Sequence, residues 1–213
     1  MARRFADVRL FFQEFRRNFH TTGAILPSGR RLAAALASFV AQADGQPRRI
    51  LEVGPGTGAV TRRLVELLGP QDCLDLVELN SSFVDCLRQR FRNEPAFQAV
   101  AGQARVLHCP VEELPPGTRY HLIVSGLPLN NFAVADVRRI LDALAGLLEP
   151  GGTLSFFEYI GVRRVKQLLS GRVERARLRG IGQVMDALLA QREIRRDGIW
   201  LNVPPAWVHH VRG

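Results

Sequence analysis

The stretch Ile50–Gly58 reads ILEVGPGTG. An apolar run, Arg49–Val53, has the length and composition of a short strand, and glycines at 54, 56 and 58 follow at once. A helical pattern over Ala59–Leu68 comes next. Glycines between a strand and a helix let the backbone turn sharply and let a ligand approach it closely. Such a loop is ambiguous on its own. It serves a dinucleotide site, a phosphate loop or only a tight turn.

Three details narrow it. The spacing is GxGxG, not the GxGxxG of dinucleotide sites, and no Lys-Ser or Lys-Thr follows to grip a phosphate. Glu52 puts a carboxylate beside the loop. That charge is unfavourable near a pyrophosphate and suits a cation. S-adenosylmethionine carries a sulfonium, an ammonium and no phosphate. A second run, Leu74–Leu79, ends in LVEL, so Glu78 stands twenty residues after Gly58. A carboxylate at that strand end accepts from both ribose hydroxyls in nucleoside-binding sheets.

Outward from this centre, apolar runs and helical patterns alternate. Ser81–Arg92 is helical, with Ser81 or Ser82 as its cap. Arg105–Cys109, His121–Ser125 and Thr153–Tyr159 read as strands. Val134–Leu148 is a helix stopped by Pro150 and Gly151. Ile199–Val203 and Trp207–Val211 are expected to pair antiparallel across Pro204 and Pro205. This order predicts an α/β fold with an open, mainly parallel sheet covered on both faces, and ligands at the carboxyl ends of its strands.

The chain has 213 residues, with 29 basic and 20 acidic side chains and a formal net charge of +9. Lys166 is the only lysine. Such a surplus implies a polyanionic partner, nucleic acid or an anionic membrane surface. A genome that favours arginine codons would also produce it. Cys73, Cys86 and Cys109 have neither zinc-type nor CxxC spacing and are expected to be reduced and mostly buried. No metal-ligating cluster is visible. No apolar run approaches a membrane span, and the N-terminus lacks a signal-peptide core. The expected location is the cytoplasm, with any membrane contact peripheral.

ILEVGPGTG, LVELN, the loop after the fourth strand and LEPGGTLSFFEY together resemble the class I S-adenosylmethionine-dependent methyltransferases. The resemblance implies a Rossmann-like sheet and a cofactor site made by Glu52, Gly54, Pro55, Gly56, Gly58, Glu78 and Leu79. It departs from the pattern after the third strand, where HCPVEEL puts Pro110 in place of the acid that meets the adenine amine. Val111 is left to pack on the adenine, and Glu112 or a backbone carbonyl to meet the amine.

The loop Ser125-Gly-Leu-Pro-Leu129 stands where enzymes acting on base nitrogens often carry Asn-Pro-Pro-Tyr. Here Ser125 replaces the asparagine and Leu129 the stacking aromatic. A flat base loses its platform, while a small aliphatic amine can still be oriented there. TTGAILPSGRRLA, SGLPL, LEPGGTLSFFEY and NVPPAWV together resemble bacterial phospholipid N-methyltransferases, a type related to ribosomal RNA adenine dimethylases. That family converts phosphatidylethanolamine stepwise to phosphatidylcholine. The resemblance implies that Ser125, Leu127 and Pro128 position the amine, and that Ser28 and Ser125 join the cofactor set. Glu158 and Tyr159 are candidates to take its proton or to face its cation, and strand alternation lets only one of them face the site. His20, His209 and His210 are weaker candidates.

The N-terminal stretch RRFADVRLFFQEFRRNFH fits the same picture. On a helix, Phe5, Val8, Phe12, Phe15 and Phe19 share one face, with Arg9 and Arg16 on its borders. Aromatics flanked by arginines describe an interfacial helix, and a helix packed on the sheet has the same pattern. Residues 1–28 are therefore expected to form an amphipathic, cofactor-covering segment and residues 29–213 the methyltransferase domain. A second basic block, Arg163–Arg179, is either lipid-facing or a solvated helix face. The expected partners are an anionic membrane and a phospholipid substrate, with nucleic acid disfavoured and no stable protein partner implied.

Overall fold

The structure is a computed structural model that describes residues 29–42, 45–161 and 171–213. Helix α1 (Arg30–Leu36) precedes β1 (Arg49–Val53), α2 (Ala59–Val65), β2 (Cys73–Val77), α3 (Ser81–Asn93) and the single turn α4 (Pro95–Gln98). Then come β3 (Ala104–Leu107), β4 (Tyr120–Ser125), α5 (Val134–Leu147), β5 (Leu148–Tyr159), α6 (Arg172–Arg192), β6 (Glu193–Ile199) and β7 (Ala206–Arg212). Among the described residues the strands form one seven-stranded sheet in the order β3-β2-β1-β4-β5-β7-β6. The first five are parallel; β7 runs antiparallel between β5 and β6.

Strand alternation builds two cores. Leu51, Val53, Ile123, Leu154 and Phe156 point to one face, where Ile140, Leu144, Ile181 and Met185 of α5 and α6 cover them. Ile50, Leu74, Leu76, Val124 and Phe157 point to the other, under Leu32 and Leu36 of α1, Leu64 of α2 and Phe97 of α4. Both faces are apolar because both carry helices, so the central strands read as continuous hydrophobic runs.

Several local expectations are corrected. Helix α3 is capped by Asn80, whose Oδ1 accepts from Ser82 N at 3.0 Å; Ser81 and Ser82 already lie inside the helix. An asparagine in extended backbone just before the first turn is as good a cap as serine. The penultimate strand is Glu193–Ile199, and Trp200–Val203 lie beyond it, because ordered pairing stops at Ile199↔Ala206. EIRRDGI has little apolar content, so its edge position hides it from a hydrophobicity reading. Cys73 is exposed and Cys86 and Cys109 are half-buried, all three as free thiols, so none is a core residue. Residues 1–28, which include Ser28, His20 and the Phe/Arg stretch, lie outside the described residues, as do residues 162–170 of the second basic block.

Among the described residues no helix is long and apolar enough to cross a membrane, and no group of His, Cys, Asp and Glu could hold a metal ion.

Candidate active site

Strand β1 delivers the glycine loop to the middle of the sheet's carboxyl edge. Gly54 N donates to Val77 O at 3.0 Å, and Gly54, Gly56 and Gly58 all have positive φ. At Gly54 the requirement is twofold. Its φ of +70° excludes most side chains, and a β-carbon there would stand 2.6 Å from Leu127 Cδ2. Gly126 presses on the loop from the other side: its β-carbon would fall 2.6 Å from Gly54 O, and its amide donates to Val53 O at 2.8 Å. The loops after β1 and β4 are thus packed backbone to backbone.

Glu78 organises the far side. Its Oε2 accepts from Gly56 N at 3.0 Å, and its Oε1 accepts from Leu79 N and Asn80 N at 2.9 Å each. Burial pushes its pKa above the ordinary value, and these three backbone donors pull against that rise. Arg90, a residue that sequence reasoning missed, secures the end of the loop. Its guanidinium donates to Thr57 O at 2.6 Å and Gly58 O at 3.0 Å, pairs with Glu94 and lies over the Phe97 ring.

Glu52 is 1% exposed on the α2 side of the sheet, in line with Ile50. Neither carboxylate oxygen has a hydrogen-bond partner, and the Thr61 hydroxyl beside them is also unpartnered. Burial pushes the Glu52 pKa up to about 8; Thr61 draws it partway down, short of hydrogen-bonding geometry.

Between these loops opens a cleft. Gly54, Glu78, Leu79, Val111, Glu112 and Leu127 line it, as the sequence suggests. Val53, Val77, Cys109, Phe132, Asp136, Arg139 and Ile140 line it too and were not anticipated. Cys109 follows β3, Phe132 ends the loop after β4, and Asp136, Arg139 and Ile140 stand on α5, whose helical periodicity reads simply as core. Glu112 accepts from Arg139 Nε at 3.2 Å, and Arg139 also pairs with Asp136 at 2.8 Å.

The loop after β4 is held from several directions. Ser125 is fully buried, and its Oγ accepts from Leu127 N at 3.4 Å. Leu129, at the position of the absent aromatic, is 3% exposed and belongs to the core under α5 and α6. Arg177 of α6 donates to Asn130 O at 3.1 Å and to Phe132 O, and pairs with Glu174. This arginine of the second basic block is thus an internal strap on the loop. Pro128 leads the turn Leu129–Asn131.

At the end of β5 the two candidates part. Tyr159 packs with Phe157 in an edge-to-face pair, centroids 5.1 Å apart, on the α1 side; burial raises its pKa. Glu158 alternates to the face of Leu154, Phe156 and Leu127. Neither lines the cleft itself. His209 and His210 are buried in β7 and held by Glu193, and by Ser155 and Asp197, respectively.

These residues fit S-adenosylmethionine. A cradle closed by Gly54 and Gly126, a carboxylate at the second strand end and an unpartnered buried carboxyl beside the loop match its ribose and its positive charges. Residues 50–152 match the model of the methyltransferase domain family. The chain carries a class I methyltransferase domain. Residues of the chain are 40% identical over 115 positions to ribosomal RNA small subunit methyltransferase A of Parasynechococcus marenigrum (strain WH8102), covering 54% of this chain and 35% of that protein. The chain is 26% identical over 149 residues to the ornithine lipid N-methyltransferase of Singulisphaera acidiphila, covering 70% of this chain and 76% of that one. Of the first curated relatives it matches, the chain spans only about a third, as the 35% and 34% coverages state. Among solved structures, the N-methyltransferase NodS of Bradyrhizobium japonicum WM9, in complex with S-adenosyl-L-homocysteine, superposes with a TM-score of 0.60 at 17% identity over 86% of each chain. The methyltransferase fold, with cofactor-bound neighbours, supports S-adenosylmethionine as the cofactor of this domain.

Proposed function

We propose that this protein transfers methyl groups from S-adenosylmethionine to the primary amine of phosphatidylethanolamine, and to its mono- and dimethyl forms, at a membrane surface. The observation that carries the reading is the position of Leu129. An enzyme that holds a flat base needs an aromatic platform after the fourth strand. In this chain that residue is aliphatic and buried in the core. The relative named for a lipid amine also aligns along most of both chains, whereas the ribosomal RNA enzyme aligns over a third of its length.

The cofactor supplies a methyl group already activated on a sulfonium. The chain's work is to hold the acceptor nitrogen in line and to exclude water. The amine must be neutral to attack, because an ammonium has no lone pair. In this reading the loop Ser125–Pro128 orients it with backbone carbonyls. Glu158, on the same face as Leu127, receives or relays its proton.

A second reading, methyl transfer to adenine of ribosomal RNA, is favoured by the 40% identity to that relative and by the arginine surplus. One assay separates them. Methyl-labelled cofactor is incubated with vesicles containing phosphatidylethanolamine, with matched vesicles lacking it, and with ribosomal RNA. Label that enters the lipid extract only with phosphatidylethanolamine supports the first reading. Label in RNA replaces it with the second.

A further inference from the structure

The turn between β6 and β7 carries large apolar side chains into solvent. Trp200, Leu201 and Val203 are 63%, 75% and 71% exposed. Isolated exposed apolar residues need no account, but three on one turn do. The turn is also held firmly. Asn202 Nδ2 donates to Pro204 O at 2.7 Å, and the Trp200 ring stands edge-to-face on Trp207, centroids 5.2 Å apart.

Its place in the fold is specific. Strand β7 begins at Ala206 opposite Tyr159, the last residue of β5, and Ile160 N donates to Pro205 O at 2.8 Å. The turn therefore projects from the carboxyl edge of the parallel strands, the edge that carries the cofactor cleft. Positive charge surrounds it. The Arg196 guanidinium lies 4.9 Å from the Trp207 ring centroid. Gly29 N donates to Asn202 Oδ1 at 3.3 Å, and the next two residues, Arg30 and Arg31, are exposed.

We infer that the tip Trp200–Val203 inserts into the headgroup boundary of an anionic phospholipid surface. Trp and aliphatic side chains enter the boundary, while Arg30, Arg31 and Arg196 meet lipid phosphates. A rigid tip loses little conformational freedom on insertion. Because the tip and the cleft share one edge, insertion would bring the cleft mouth to the headgroups. The inference rests on the lipid reading above for its choice of partner, but it is tested without the acceptor.

Trp200 and Trp207 are the two tryptophans of the chain, so Trp207→Phe leaves Trp200 as the sole reporter. The probe is vesicles of phosphatidylcholine and phosphatidylglycerol, free of phosphatidylethanolamine, with or without bromine on the acyl chains. The expected result is a blue shift of Trp200 emission on binding and quenching by the brominated lipid. Co-sedimentation of the otherwise native chain carrying Trp200→Ser, Leu201→Ser and Val203→Ser should show about tenfold weaker vesicle binding or more, with cofactor binding unchanged. Failure to bind vesicles overturns the inference. So does binding with Trp200 emission unmoved, or a Trp200 already shielded in buffer by residues 1–28 or a second copy. Insertion without methyl transfer in the labelling assay would leave the tip standing and remove only the acceptor.

Discussion

Gly126 sits so close to Gly54 that a β-carbon on it would stand 2.6 Å from the Gly54 carbonyl oxygen. That neighbour is backbone and cannot rotate away, so a methyl group at 126 must push the cofactor loop and the acceptor loop apart. Gly126→Ala is expected to weaken cofactor binding by about tenfold or more, measured by calorimetric titration. Gly102, outside the site, is the control. Nothing lies within 4 Å of its β-position, so Gly102→Ala should leave cofactor binding unchanged. Equal losses at both positions would mean that loop–loop packing is irrelevant to the site.

Glu78 is expected to serve both ligand and loop. Glu78→Ala removes the carboxylate assigned to the ribose and leaves the amides of Gly56, Leu79 and Asn80 without their acceptor. Cofactor affinity should fall by at least about a hundredfold, and stability by about 2–4 kcal/mol. Titration and thermal unfolding on the same sample read the two effects. Cofactor binding within about threefold of the parent would end the ribose assignment.

The buried carboxyl of Glu52 makes the ligand-free protein sensitive to pH. Below its ordinary value of 4.5 the group is protonated in both folded and unfolded chains and contributes nothing to the pH slope. Between 4.5 and about 8 the unfolded chain ionises while the folded chain holds its proton, so stability declines as pH rises. The loss is on the order of 5 kcal/mol, complete above pH 8. Glu78, also raised, adds in the same direction. Glu52→Gln keeps the shape without the charge and should be the more stable protein at pH 8 and nearly equal at pH 4.5. Denaturant unfolding at both values decides it; parallel curves would show that Glu52 ionises freely in the fold.

Tyr159 and Glu158 predict opposite responses. Burial raises the Tyr159 pKa, which makes the phenol a poor proton acceptor at neutral pH. Tyr159→Phe keeps the aromatic face and should retain methyl transfer within about threefold. Glu158→Gln should lower the rate by about tenfold or more and shift the pH–rate profile. The reverse pattern in initial rates would assign the proton to the tyrosine.

Much of this architecture was legible because it is repetitive or sterically forced. The alternation of strand and helix, the glycine loop and the strand-end Glu78 leave marks in spacing alone. The contribution of α5 to the cleft was not legible. Asp136, Arg139 and Ile140 follow an ordinary amphipathic pattern, and only the tertiary fold brings the start of that helix over Val53 and Val77. Arg90 and Arg177 were hidden for a related reason. An arginine that caps backbone carbonyls more than thirty residues away looks, in sequence, like any solvated charge. Strand β6 escaped because an edge strand needs few apolar residues.

The position of β7 between β5 and β6 bears on how the chain is synthesised. A ribosome delivers β6 before β7, yet among the described residues β6 pairs with β7 alone in the finished sheet. Until Ala206–Arg212 emerge, β6 lacks that strand partner and the outer edge of β5 stands open. A nascent chain halted before Ala206 would therefore display an uncapped edge ready to join another molecule. Completion of the domain, and its protection from self-association during translation, wait on that one strand.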